Sequence, residues 1–137
     1  MQLGIIKLDT KRLDEIAKNL DMNTEQAVMA IAFRVETFAK QLSPKKTTAL
    51  ENSIYVVTSE YDGFGKAQAA ARNKRPDMNV VFLPPPPKNT AYVGPCVDYG
   101  IYQELGTHKM AAHPYLEPGA EMAAKEVGAE FTRTLFK

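Results

Sequence analysis

Residues 23–44 read NTEQAVMAIAFRVETFAKQLSP, and this stretch decides the fold. Asn23 can cap a helix, and Gln26 follows three residues later, where it completes a capping box. Pro44 disfavours helix at Ser43. The pattern predicts one amphipathic helix of about 20 residues, roughly 30 Å long, as the spine of the domain. Its apolar stripe comprises Val28, Ile31, Ala32, Val35, Phe38, Ala39 and Leu42.

Upstream of this helix, residues 3–8 form a short apolar entry. Asp9 and Thr10 then offer N-cap oxygens. The residues that follow at helical spacing predict a short amphipathic helix, with an apolar face made of Leu13, Ile16, Ala17 and Leu20.

Downstream, three segments have the composition of β-strands. Residues 53–58 (SIYVVT) are rich in β-branched and aromatic side chains, and residues 80–83 and 91–94 are further candidates. The run PPPPKN at 84–89 separates the last two. Proline lacks the amide donor that a sheet needs, so this run predicts an exposed, stiff, hairpin-like connection.

Glycines and a proline interrupt the region between the first two strand candidates. Gly63, Gly65 and Pro76 break regular structure, although residues 66–72 can form about two helical turns. We therefore predict a mobile loop at 62–79 that can include a short helix.

The last third of the chain predicts two helices. Residues 98–105 suggest a short one, and Pro118 is expected to open a C-terminal helix. One face of that helix would carry Ala120, Ala123, Val127, Phe131 and Leu135.

The order of these elements indicates the fold class. Helices, then strands, then helices, without alternating βαβ units, predict a single α+β domain over residues 1–137. A small antiparallel sheet would pack against the long helix and the C-terminal helix. Three strands leave open edges, which a subunit interface could complete.

Composition excludes several classes of protein. The net charge is +1, with 45% hydrophobic and 24% charged residues, and no apolar run approaches the roughly 20 residues of a membrane span. Cys96 is the only cysteine, which excludes an internal disulfide framework. The N-terminus lacks the pattern of a signal peptide, so we expect no membrane partner and assembly in a host cytoplasm.

Two segments carry a resemblance. The first is AKQLSP at 39–44, followed by Thr47, Leu50, Ser53 and Ile54. The second runs from Tyr99 to Pro118 and reads YGIYQELGTHKMAAHPYLEP. Together they resemble the bacteriophage structural proteins grouped as the HK97 gp10-like family, which occupy the neck or tail-completion position between capsid and tail. Thr48 stands where that family usually has glycine, which serves a turn that needs positive φ.

The resemblance implies a structural virion protein without catalytic residues, metal or cofactor. It would form a homo-oligomeric ring at the head–tail junction, with a hexamer favoured over a dodecamer. Its partners would be a head-closure or connector protein, a tail tube or tail terminator protein, and the genomic DNA passing through the lumen.

The second segment also has a physical interpretation of its own. Gly106 can stop a helix, and Thr107 can satisfy nearby backbone groups. Aromatic contact area held by such a turn suits subunit interfaces, although plain core packing would explain about half of the positions. The candidate interface residues are Tyr99, Tyr102, Glu104, Leu105, Gly106, Thr107, Pro114, Tyr115, Leu116 and Pro118.

A metal-dependent hydrolase is a less favoured alternative. Glu104, His108 and His113 include the ligand types that zinc prefers, but their spacing matches no established motif. Cys96 lies among apolar strand residues and is interpreted as a small buried hydrophobe rather than a nucleophile. Ser53 and Ser59 lack a nucleophile-elbow context.

A basic stretch offers contact with DNA. Five cations outnumber Asp77 in this part of the chain, and they are Lys66, Arg72, Lys74, Arg75 and Lys88. In a ring these residues could face the DNA channel and contact phosphates without reading sequence. A small nucleic-acid-binding module that uses residues 66–88, or a solvated loop, are the alternatives.

Overall fold

The long helix forms where its sequence predicts it. In the computed structural model of the protein, α1 spans Thr24–Leu42, and its capping box is complete. The amide of Gln26 donates to Asn23 Oδ1 at 2.8 Å, and the amide of Asn23 donates to Gln26 Oε1 at 3.1 Å. The predicted stripe is buried from Val28 to Ala39 except for a half-buried Phe38, whereas Leu42 is 42% exposed.

The structure describes residues 3–8, 18, 23–45, 48–77, 79–127 and 131–136. The short helix predicted from Leu13 to Leu20 lies outside these residues, apart from Lys18, which is helical. The remaining helices are α2 (Ala49–Ser53), α3 (Phe64–Lys74), α4 (Gly100–Leu105) and α5 (Leu116–Val127), and the strands are β1 (Leu3–Leu8), β2 (Ile54–Thr58), β3 (Ala91–Pro95) and β4 (Phe131–Phe136).

The strands form one antiparallel sheet in the order β2-β3-β1-β4. Helix α1 packs on β2 and β3, and α5 contacts both α1 and β1. The predicted α+β class, with a small antiparallel sheet against a long helix and a C-terminal helix, is therefore confirmed. One continuous core joins buried residues of α1, α3, α5, β2 and β3.

Two strands of the sheet correct the sequence-based prediction. Residues 3–8 were expected only as an apolar entry, and Phe131 and Leu135 were expected on a helix. Instead β1 pairs with β4 along both strands, from Leu3 opposite Phe136 to Leu8 opposite Phe131. Such long-range pairing overrides local helical spacing, which is why the sequence pattern was misleading there.

Two further segments also differ from the prediction. The short helix that the loop at 62–79 was expected to include, at residues 66–72, is longer in the structure and forms α3 over Phe64–Lys74. The expected strand at 80–83 is reduced to a single bridge between Val80 and Val97. The pairing does not extend further, because the amide of Leu83 donates to the Tyr55 hydroxyl at 3.2 Å and the prolines that follow have no amide to donate.

Helices α1 and α5 approach closely, and small residues make this possible. A Cβ atom added to Gly119 would lie 2.9 Å from the backbone nitrogen of Ala39, so glycine is required at the crossing. Arg34 of α1 also binds Glu126 of α5 through two hydrogen bonds, of 2.6 and 2.9 Å. In the described part of the chain, no helix is both long and apolar enough to cross a membrane.

Candidate functional site

The two segments that carry the resemblance meet at one surface groove of about 430 Å³. The first segment contributes Pro44 and Leu50, and Arg75 joins them from the end of α3. We call this feature the aromatic groove; its remaining lining residues come from the second segment and are Tyr99, Tyr102, Gln103, Thr107 and Met110.

The groove presents aromatic and apolar surface to solvent. Tyr102 is 50% exposed, and its neighbour Leu105 is 39% exposed. The Arg75 guanidinium stacks 5.1 Å from the centre of the half-buried Tyr99 ring. Asp77 then lies 3.7 Å from Arg75 Nε, so the rim of the groove carries both charges. Exposed aromatic area with a polar rim is typical of protein interfaces.

A buried carboxylate holds the second segment in place. Glu104 is 3% exposed and accepts hydrogen bonds from the amides of Tyr115, Leu116 and Glu117, at 2.8, 2.7 and 3.2 Å. These are the first donors of α5, and Pro118, which follows them, has no amide to satisfy. The negative charge also complements the positive end of the helix dipole. Glu104 therefore links the end of α4 to the start of α5.

This arrangement corrects part of the predicted interface. Tyr115 and Leu116 are fully buried, and the Tyr115 hydroxyl donates to the Gly100 carbonyl at 3.0 Å. Burial raises the pKa of that hydroxyl well above its usual value. Tyr115, Leu116 and Glu104 therefore belong to the core. For these three positions the structure agrees with core packing, which was the alternative to an interface role. Pro118 lies within the first turn of α5 instead of opening it.

The turn between α4 and α5 confirms the roles expected of its glycine and threonine. Gly106 ends α4 with φ of +75°, and a Cβ atom there would lie 2.7 Å from the amide nitrogen of Ala112. Thr107 Oγ1 accepts from the amide of Lys109 at 3.2 Å, and Thr107 also bridges to Met110. Pro114, the remaining predicted contact residue, is exposed.

The turn in the first segment has the backbone that glycine would favour. Thr48 adopts φ of +60° and ψ of +1°, and its side chain caps no helix amide. A β-branched residue is strained in this left-handed conformation. Thr48 therefore has the positive φ that glycine adopts readily, although this chain has threonine at this position. The turn places Leu50 in the aromatic groove.

The predicted DNA-contact residues do not form one patch. All five are exposed. Lys66, Arg72 and Lys74 lie on α3, and none of them forms an ion pair with another described residue. We call these three residues the cations of α3; they do not share one face, because Arg72 and Lys74 are only two residues apart on the helix. Arg75 belongs to the aromatic groove, and Lys88 lies instead beside the start of α1, near Glu60.

The residues considered for chemistry do not converge either. Both carboxylate oxygens of Glu104 are engaged by amides of α5, whereas His108 and His113 are exposed. Within the ranges that the structure describes, no group of three potential ligand side chains could hold a metal ion. Cys96 is buried, as predicted, and burial raises the pKa of its thiol to about 11.

Five groove residues were not singled out as interface residues from the sequence. Arg75 was assigned to DNA contact. Pro44 and Leu50 were assigned only to the end of α1 and to the resemblance, and Gln103 and Met110 were quoted without a role. Apart from Arg75, their common signal is their position within the two segments. The convergence of segments about 50 residues apart in the chain required the fold.

No protein-family model, no curated protein and no solved structure matches this chain. The resemblance noted in the sequence therefore stays a prediction that depends on the two segments.

Proposed function

We propose that this protein is a structural component of a bacteriophage virion that forms a ring at the head–tail junction. In this proposal it joins a head-closure or connector protein to a tail tube or tail terminator protein and leaves a channel for DNA. The observation that carries the proposal is the aromatic groove, where both segments of the resemblance meet. Its mechanism is geometric and involves no catalysis.

The chemistry of the groove supports binding of protein rather than a reaction. Tyr99 and Tyr102 supply rigid amphipathic area, and Gln103 supplies hydrogen-bonding groups. The carboxylate of Glu104, the residue after Gln103, already accepts hydrogen bonds from amides at the start of α5. A surface built in this way provides contact area and direction, which are the properties that a ring subunit needs.

The sheet edges make unequal contributions to assembly. On the outer side of β2, Gly63 donates to the carbonyl of Val56 at 3.0 Å, and the amide of Thr58 donates to Tyr61 at 2.7 Å. That edge is therefore covered by its own chain. Strand β4 is the other edge, and among the described strands it pairs with β1 alone. We propose that β4, rather than β2, takes part in subunit contact.

By resemblance, we propose a hexameric ring rather than a dodecameric one, in which α3 and its exposed cations lie beside the channel. Three cations without ion-pair partners in the described structure favour contact with phosphates. The same observation supports the second candidate function, a small nucleic-acid-binding module that acts outside a ring.

Electron microscopy of a particle that carries this protein tests the proposal. We expect ring density at the head–tail junction, and a deletion should yield heads and tails that do not join. Density elsewhere, or normal joining after the deletion, would refute the proposal. Tyr102→Ala should impair joining, whereas Met122→Ala, which alters an exposed apolar residue of α5, should not.

A charge-reversal experiment separates the two candidate functions. Lys66→Glu, Arg72→Glu and Lys74→Glu together should impair retention or passage of DNA in particles that still assemble. The control reverses Lys109 and Lys125, which are exposed and lie off α3. If the purified protein binds duplex DNA through α3 but is absent from the head–tail junction, the nucleic-acid-binding module is favoured.

A further inference from the structure

The run of prolines forms a regular surface feature. Residues 82–88 alternate between burial and exposure with a period of three, because Leu83 and Pro86 are buried and the five others are exposed. A polyproline II helix has three residues per turn, so residues three apart lie along the same edge. Proline also restricts the residue before it to extended conformations. Residues 82–88, which we call the polyproline segment, therefore lie along the surface with one edge buried.

The segment is anchored at both ends, so it needs little ordering before it binds. The amide of Leu83 donates to the Tyr55 hydroxyl at 3.2 Å, and Phe82 stacks edge-to-face on Phe64 with ring centres 5.2 Å apart. At the far end, the amide of Asn89 donates to the buried Glu25 carboxylate at 2.6 Å. A rigid extended segment loses little conformational entropy on docking.

Two edges of the segment remain open to a partner. Pro84 and Pro87 lie along one edge, and Phe82, Pro85 and Lys88 along the other. Phe82 is 57% exposed, the highest fraction among the large apolar side chains of the described residues. Grooves lined by aromatic residues are the usual receptors for such proline-rich segments. The aromatic groove of this protein, with Tyr99 and Tyr102, has that chemistry.

The groove and the segment of one molecule lie at opposite ends of two helices. Phe82 contacts the first residue of α3, whereas Arg75, which follows its last residue, lies in the groove. Asn89 is bound near the start of α1, whereas Pro44 lies beyond its end. A helix of 19 residues is about 28 Å long. A segment anchored at both ends does not reach the groove of its own molecule.

We infer that the polyproline segment of one copy docks in the aromatic groove of a second copy. Charge complementarity supports this occupant, because Lys88 is exposed and forms no ion pair with any described residue. On the groove rim, the Asp77 side chain is 86% exposed and offers a carboxylate to it. The net charge of +1 does not oppose association of identical chains.

Such a contact joins different surfaces of identical molecules. Head-to-tail contacts of this type generate rings when the rotation closes, and open filaments when it does not. One short segment buries less than the roughly 1,000 Å² of a stable interface, so it orients neighbouring copies while other surfaces add affinity. The inference rests on the proposed function in one respect, which is that the protein assembles with itself.

Cysteine crosslinking of the full chain tests the inference, since Cys96 is buried and does not compete. Two single variants, Pro85→Cys and Gln103→Cys, are mixed and oxidised, and we expect disulfide-linked heterodimers. Pro85→Cys mixed with Met122→Cys is the matched control, because Met122 lies outside the groove. It should give at most about one tenth of that yield, since a tenfold change in yield corresponds to about 1.4 kcal/mol of binding free energy, the size expected for one specific contact. The double variant, Pro85→Cys with Gln103→Cys, should give a ladder of oligomers.

Two further measurements make the result decisive. Adding Tyr102→Ala to the Gln103→Cys chain, or adding a peptide of residues 80–90, should lower the crosslinking yield about tenfold. Yields equal to the control would overturn the inference. Binding of the peptide without crosslinking of full chains would overturn the second copy as occupant and assign the groove to another proline-rich protein.

The failures of the two proposals are distinguishable. Crosslinking uses purified protein, so a negative result leaves the location in the virion untouched. Heterodimers formed by a protein that is absent from the head–tail junction would refute the proposed function and keep the contact.

Discussion

Replacing Glu104 tests whether one buried carboxylate organises the second segment. In Glu104→Ala, the amides of Tyr115, Leu116 and Glu117 lose their shared acceptor while they remain at the start of α5. A hydrogen bond to a charged group is worth about 1.5–3 kcal/mol, and the two shortest bonds here are 2.7 and 2.8 Å. We therefore expect the free energy of unfolding to fall by about 3–5 kcal/mol, a large fraction of a domain's typical stability.

Glu104→Gln separates the charge from the hydrogen bonds. Its amide oxygen can still accept from Tyr115 and Leu116, which share one oxygen in the structure. The amide nitrogen would then face the amide of Glu117, and the favourable interaction with the helix dipole would be lost. We expect a smaller loss, of about 1–2 kcal/mol.

Urea unfolding followed by circular dichroism measures both variants. Glu121→Ala is the matched control, because Glu121 is exposed on the same helix, and it should change stability by less than about 0.5 kcal/mol. With an m-value near 1.5 kcal/mol/M, a loss of 3 kcal/mol lowers the midpoint by about 2 M. If Glu104→Ala unfolds at the same midpoint as Glu121→Ala, the capping argument is wrong. If Glu104→Ala unfolds at the normal urea midpoint but self-associates differently, Glu104 acts at the subunit interface, as the sequence-based prediction had assigned it.

Three other changes have defined outcomes. Thr48→Gly should raise the free energy of unfolding by about 0.5–1 kcal/mol in urea titrations, because it relieves a φ of +60° at a residue whose side chain caps nothing; a loss of stability would contradict this. Gly106→Ala should lower the melting temperature by several degrees, since its Cβ would lie 2.7 Å from Ala112 N; an unchanged melting temperature would show that the turn can relax. Burial raises the pKa of Cys96 from 9.0 to about 11, so the folded state favours the neutral thiol, and this stability is present below pH 9.0 and is lost as the pH rises towards 11. Urea midpoints across that range should fall faster than those of Cys96→Ala, and parallel curves would refute the assignment.

Elements with strong local signals were predictable from the sequence. The capping box at Asn23 and the proline at Pro44 bound α1 within a residue of the prediction. Strands β2 and β3 also appear where β-branched and aromatic residues cluster, at Ile54–Thr58 and Ala91–Pro95. These signals act over a few residues, so a sequence pattern is sufficient to locate them.

Elements that depend on distant partners were not predictable in this way. Strand β4 exists because β1 pairs with it from the other end of the chain, and its own apolar spacing suggested a helix. The full length of helix α3 was not predicted, because Gly63 and Gly65 flank its first residue and only Ala67 and Ala71 among its residues are buried. Its apolar pattern is therefore too sparse to predict a helix of this length.

In the candidate site, too, some features were predictable from local sequence and others depended on the fold. The sequence by itself determined that Gly106 would end a helix, that Thr107 would satisfy nearby backbone groups, and that residues 99–118 would hold aromatic residues. Only the tertiary structure decided which of them face solvent, since Tyr102 is half exposed while Tyr115 is fully buried in the core. It also decided that Glu104 serves α5 and that Pro44 and Leu50 complete the groove. Burial and donor placement depend on residues far away in the chain, and no short-range pattern encodes them.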